Sequence, residues 1–178
     1  MSSKDTTTNK RRAARPLHWL LAACLATALA ACQTHAVKPI GSLTAAQVAA
    51  LTEQGFVAVG DDGMQLNLSG RILFALDSAR VEAETREHIA KVARTLLGLG
   101  IQTVRLDGHT DNLGAPEYNQ SLSLRRAQTV ADLMADAGFP REGIGIRGLG
   151  QTVPVADNAT EEGRSQNRRV SVVVGSFY

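Results

Sequence analysis

The sequence predicts an α+β two-layer sandwich with two main helices on one face of a mixed four-stranded sheet. Three observations carry that expectation. Two long segments place apolar residues at helical spacing and close on glycine, the stretches between them alternate apolar with polar residues, and the order reads strand, helix, strand, helix, strand, strand. The chain has 178 residues, enough for one ordinary domain with extensions.

The first element is a leader. Lys4, Lys10, Arg11, Arg12 and Arg15 precede an apolar stretch from Leu17 to Ala31, the charged and apolar halves of a secretory signal. That stretch is shorter than the about 20 residues that span a bilayer. Its end, Leu29-Ala30-Ala31-Cys32, resembles a bacterial lipobox, which implies removal of residues 1–31 and acylation of Cys32. Leu21-Ala22-Ala23-Cys24 has the same spelling behind too short an apolar run, so Cys32 is the expected lipid anchor. Gln33 is not the aspartate that marks inner-membrane retention, which makes the outer membrane the expected destination, with the domain facing the periplasm. The leader also holds the basic excess: from residue 32 onward 14 Lys and Arg face 16 Asp and Glu. A nucleic-acid-binding reading loses its support.

Residues 32–43 read as anchor and linker, with Pro39 and Gly41 and few apolar side chains. The segment 44–63 follows: Thr44 can cap a short helix carrying Val48 and Leu51, and Gly60-Asp61-Asp62-Gly63 is a turn signal. The main domain is expected over 64–178. MQLNLS alternates as a strand, and RILFAL is a second short apolar run. VEAETREHIAKVARTLLGLG puts Ile89, Val92, Ala93, Leu96 and Leu99 on one helical face, and TVRLDG alternates Val104 with Leu106. The second long helix carries Leu122, Arg126, Val130, Leu133 and Ala137 on one stripe and ends at Gly138, with Arg125 on the polar face. GIGIRGLG is a glycine-rich strand, against which something must pack closely, and RRVSVVVGSF is the last strand.

Asp111 and Arg126 raise the question of function, because a permanent cation lies at the edge of an apolar stripe. They can simply pair with each other or be solvated separately. A metal site built on His109 and Asp111 lacks a third ligand at a recognisable spacing. Ser121, Ser123 and His109 have no nucleophile elbow or triad around them, so no catalytic residues are assigned and an enzyme is not expected. No cofactor or metal is implied. A binding site for an amino-acid-type zwitterion suits the set best: Asp111 takes the ammonium, while Arg126 and free N–H groups at a helix start grip the carboxylate. Gly114 and Pro116 let the loop turn tightly before that helix. In the periplasm such a zwitterion stands at the side-chain end of diaminopimelate in the peptidoglycan stem peptide.

These residues resemble a signature of the OmpA-like C-terminal domain family, TD-x-x-G-x-x-x-x-N-x-x-L-S-x-x-R-A-x-x-V. It is matched by Thr110, Asp111, Gly114, Asn119, Leu122, Ser123, Arg126, Ala127 and Val130. A second block runs from Pro154-Val155-Ala156-Asp157-Asn158 through Gly163-Arg164 to Asn167-Arg168-Arg169-Val170. The resemblance covers about residues 64–175 and implies an OmpA-like sandwich that binds peptidoglycan non-covalently. It implies Asp111 and Arg126 as diaminopimelate contacts, with Thr110, Gly114 and Asn119 in the signature, Arg168 near the pocket, and backbone contacts around Asp77. Family members often have an aspartate after the first-strand phenylalanine, where this chain has Ala75 after Phe74.

The segments around Cys32-Gln33-Thr34 and LTAAQVAALTEQGF are similar to a signalling branch of that family. The similarity implies a lipoprotein that sequesters a periplasmic repressor and so frees an inner-membrane diguanylate cyclase, a cyclic-di-GMP output. GDDGMQL departs from that branch, with Met64 at an aromatic position. Leu51 and Phe56 then have two readings, as packing residues or as a partner-binding patch whose exposure depends on the linker. The alternative function is a purely structural tether between outer membrane and cell wall. A homodimer is compatible with either.

Overall fold

The computed structural model describes residues 38–69 and 83–176. Among them, four α-helices accompany one five-stranded mixed sheet. The elements are α1 (Ala45–Glu53), β1 (Val57–Val59), β2 (Gly63–Ser69), α2 (Ala83–Gly98), β3 (Val104–His109), α3 (Pro116–Asp136), β4 (Ile144–Gly148), α4 (Glu161–Asn167) and β5 (Arg169–Gly175). The strand order is β1-β2-β5-β3-β4, antiparallel except for the parallel pair β3 and β4, which α3 connects.

Local signals explain most of these boundaries. At α1, the Thr44 hydroxyl accepts from the Gln47 N–H at 3.3 Å and Gln47 Oε1 accepts from the Thr44 N–H at 2.9 Å, a reciprocal capping box. Pro116 opens α3, where its missing N–H costs nothing, and Gly138 leaves the helix with φ of 95°. Alternation along the strands gives the sheet two chemically different faces. Val104, Leu106, Val170, Val172 and Val174 meet Ile89, Ala93 and Leu96 of α2 and Ala127, Val130, Ala131 and Met134 of α3 in one buried core. The other face carries Arg105, Asp107, His109, Arg169 and Ser171.

Three expectations need correction. The sheet has a fifth strand, because the turn at Gly60–Gly63 closes a hairpin whose first arm is β1. That arm has three residues, all exposed, too short and too little buried to show a pattern. The helix α4 is also an addition: Glu161–Asn167 has no apolar stripe, and it is held by the Thr160 hydroxyl accepting from the Gly163 N–H at 3.1 Å. The buried stripe of α3 is Asn119, Ser123, Arg126, Ala127, Val130, Ala131 and Met134, turned about one position from the apolar stripe, with Leu122 and Leu133 only half-buried. Val48, Leu51, Phe56 and the preceding Leu43 lie in the hydrophobic core. RILFAL falls outside the described residues.

Close approach of α3 accounts for two glycines of the sheet. A Cβ at Gly108 would overlap the Ser123 carbonyl of α3, and one at Gly148 would come within 2.8 Å of Gln120 O and Leu124 Cβ. Helix α3 therefore lies directly on β3 and β4, which brings its N-terminal half over the loops that leave those strands.

Candidate functional site

The loop 110–115 leaves β3, the loop 149–157 leaves β4, and both lie at the start of α3. Backbone hydrogen bonds zip them together: Leu149 N–H donates to Gly108 O at 2.9 Å, and Thr110 N–H to Gly150 O at 2.8 Å. Ser123, fully buried, accepts from Gly150 N–H at 2.9 Å and donates to Gln120 O at 2.9 Å, fixing the second loop to the helix. Asn119 is the common tie. Its Nδ2 donates to Gln151 Oε1 at 2.9 Å and Leu113 O at 3.0 Å, with a weaker contact to Asp111 O at 3.4 Å. Gly114, at φ 91°, makes the reversal that brings Leu113 O back to this amide.

Asp111 is held at the centre, only 7% exposed. Its Oδ1 accepts from the Leu113 N–H at 3.1 Å, and its Oδ2 accepts from Arg168 Nη1 at 2.7 Å. Arg168 reaches the other way as well, with Nη2 on Glu161 Oε1 at 2.6 Å. Burial alone would lower the Arg168 pKa, but the hydrogen bonds from its guanidinium to Asp111 and Glu161 hold it above its ordinary value. Arg168 and Arg164, both hydrogen-bonded to Glu161, hold that exposed carboxyl below the usual range.

The residues expected from the sequence divide plainly. Thr110, Asp111, Gly114 and Asn119 come together at one end of α3, and Arg168 joins them through Asp111. Arg126 is 5% exposed whereas Arg125 is exposed, as the helical count required. Long side chains on a helix lean toward its N-terminus, the end at which Asp111 lies. The salt bridge of Asp111 is made with Arg168, where the sequence offered Arg126 as its partner. Glu161 and Gln151 were missed, since neither stands in a pattern before the fold brings it alongside. Asp77 and Cys32 lie outside the described residues.

Leu51 and Phe56 are 0% and 2% exposed, so in this arrangement they are packing residues and supply no surface patch. Both belong to the same core cluster as Leu43 and Val48.

A second cluster occupies the face of the sheet away from the helices. Asp107 accepts from Arg147 Nε and Nη2, each at 2.8 Å, and from Arg105 Nε at 3.1 Å. Burial raises the Asp107 pKa, but Arg147 and Arg105 outweigh it and leave the carboxyl below its ordinary value. His109, 3% exposed, is pushed down to about 4 by burial and then by the Arg169 charge. Arg169 is itself lowered to about 10 by burial and stays charged at neutral pH. Among the described residues no three His, Cys, Asp or Glu side chains are grouped to hold a metal.

The OmpA family model matches residues 73–168. The chain is 47% identical over 150 residues to the outer-membrane lipoprotein YfiB of Pseudomonas aeruginosa, covering 84% of this chain and 88% of that one. It is 40% identical over 105 residues to the peptidoglycan-binding protein ArfA of Mycobacterium tuberculosis, covering 59% of this chain and 32% of ArfA. Among solved structures, the cell wall anchor of the T6SS from Pseudomonas aeruginosa superposes with a TM-score of 0.60 at 32% identity, over 72% of this chain and 93% of that one.

Proposed function

The chain belongs to the OmpA family, and on that premise we propose that it is an outer-membrane lipoprotein that binds peptidoglycan non-covalently. The observation that carries this is the convergence of two loops and a helix start on a buried carboxylate, Asp111, paired with the Arg168 guanidinium, with Arg126 buried on the same helix. A site with both signs of charge and orienting amides suits the zwitterionic end of a diaminopimelate stem peptide. YfiB and ArfA, an outer-membrane lipoprotein and a peptidoglycan-binding protein by name, support the same reading. Cys32 supplies the lipid anchor in it.

The test is sedimentation with purified cell-wall sacculi. Asp111→Ala and Arg126→Ala should abolish or sharply weaken binding, because losing one member of a buried charged set costs on the order of 3 to 5 kcal/mol at the upper end. Arg125→Ala should bind like the parent. Melting curves run alongside separate lost binding from lost folding. If Arg125 is required and Arg126 dispensable, the site is misassigned.

The finer proposal is that this lipoprotein also sequesters a periplasmic repressor of YfiR type and so releases a diguanylate cyclase in the inner membrane. The similarity to YfiB over most of the chain supports it. Leu51 and Phe56 then act from a state in which α1 has come away from the domain. Their burial favours the second reading, a purely structural tether.

A further inference from the structure

The ion pair between Asp111 and Arg168 has a consequence for what the site can accept, resting on the peptidoglycan reading above. Among the described residues Asp111 is the only buried carboxylate on these loops, and its Oδ2 is already taken by Arg168 Nη1 at 2.7 Å. The guanidinium is not committed to Asp111 alone. Its Nη2 stands on Glu161 at 2.6 Å, and Glu161 is tied in turn to Arg164 at 3.0 Å. Arg168 is thus held at the rim from the outside, with a side chain 21% exposed beside one that is 10% exposed.

A ligand ammonium approaching Asp111 meets a carboxylate already neutralised and a cation beside it. Like charges at that separation repel strongly in a site shielded from water. An ammonium on its own, such as that of a lysine, must displace Arg168 and leave a half-buried guanidinium with only the exposed Glu161. A group that carries a carboxylate next to its ammonium avoids that penalty, because the carboxylate receives the hydrogen bond that Arg168 gives up. No bond is made or broken covalently; two ion pairs exchange partners.

We propose that Arg168 sets the selectivity of this site for a zwitterion over a simple ammonium, by occupying Asp111 until a ligand offers both an ammonium for Asp111 and a carboxylate for Arg168. Glu161 keeps the guanidinium at the rim during the exchange. Arg168 is therefore a specificity residue and not only a further positive charge near the pocket.

The experiment is isothermal titration of the full chain in detergent with two synthetic stem peptides, L-Ala-γ-D-Glu-meso-diaminopimelate and L-Ala-γ-D-Glu-L-Lys. The parent should prefer the diaminopimelate peptide by about tenfold or more. In Arg168→Gln the lysine peptide should gain affinity, and the preference should fall below about threefold. Arg168→Met, which keeps most of the apolar stem, reads the same ratio if the glutamine variant melts early. An unchanged preference overturns the proposal. So does weaker diaminopimelate binding with no gain for lysine, which would make Arg168 a plain carboxylate contact. Should the parent bind neither peptide, the peptidoglycan reading fails and this one falls with it.

Discussion

His109 shows most clearly how a single buried side chain sets a solution property of the fold. It is neutral at pH 7 and resists protonation until about pH 4, whereas in an unfolded chain it protonates near 6.5. As pH falls through that window the unfolded state takes up a proton that the folded state refuses, so stability must drop from about pH 6.5 to about 4. Fully developed, the effect is about 3 kcal/mol. Asp107 acts in a different range: its carboxyl is held low, and its contribution is lost only as pH falls below the ordinary carboxylate range. Urea melts at pH 7, 5.5 and 4.5 should show the decline, and His109→Gln should flatten it. A parent curve that is level over this window would mean that His109 is not held neutral. Gly108 offers a separate check, because any side chain there meets the Ser123 carbonyl. Gly108→Ala should cost about 1–3 kcal/mol or more in a thermal or urea melt and weaken binding, since it pushes α3 off β3, whose following loop carries Asp111.

Among the elements, α1 is held by two means that can be tested separately. Its capping box at Thr44 and Gln47 is local, and Thr44→Ala should cost about 1 kcal/mol. Leu51 is fully buried, and Leu51→Ala should cost about 2–5 kcal/mol, an effect only a packed α1 can produce. Chemical denaturation checks both, and a Leu51→Ala protein as stable as its parent would contradict the core position. The capping signal of α1 is legible in the sequence, as are α2, α3, β3 and β5, because each couples a periodic pattern to a terminal glycine, proline or hydroxyl. Helix α4 is not legible there, since seven mostly polar residues bury only Gly163 and Asn167, and their order comes from the loop they brace. The same limit applies to the site. Thr110, Asp111, Gly114 and Asn119 stand in one local signature, so the sequence groups them. Glu161 and Gln151 become neighbours of that group only when the loops after β3 and β4 are laid side by side. The stripe of α3 is misphased by about one residue for a related reason: Asn119 and Ser123 are buried by hydrogen bonding to those loops, which apolar counting cannot detect.

At the scale of the whole molecule, the proposed function makes Cys32 and the Asp111 site the two ends of one tether, and the fold limits the slack between them. Leu43 is buried and Ile40 packs against the core, so the spacer after Cys32 runs only to about Pro39. Its reach falls from about 36–40 Å for residues 33–43 to about 23–25 Å for 33–39. Cys32→Ser should release a folded, sacculus-binding domain from membranes, read by fractionation, because the core among the described residues begins at Leu43. Substituting Phe56, in cells that hold the repressor and cyclase, should change cyclic-di-GMP output if α1 must leave the domain to signal. Unchanged output from a folded variant would favour the tether.

The proposed function depends on a ligand meeting Asp111. The most direct measurement is titration of the diaminopimelate stem peptide into the parent chain and into Asp111→Asn, which keeps the shape of the side chain and the Leu113 hydrogen bond but removes the charge. The account predicts saturable binding to the parent and a loss of about a hundredfold in the variant, with an unchanged fold by circular dichroism. Equal affinity in the two proteins would contradict it.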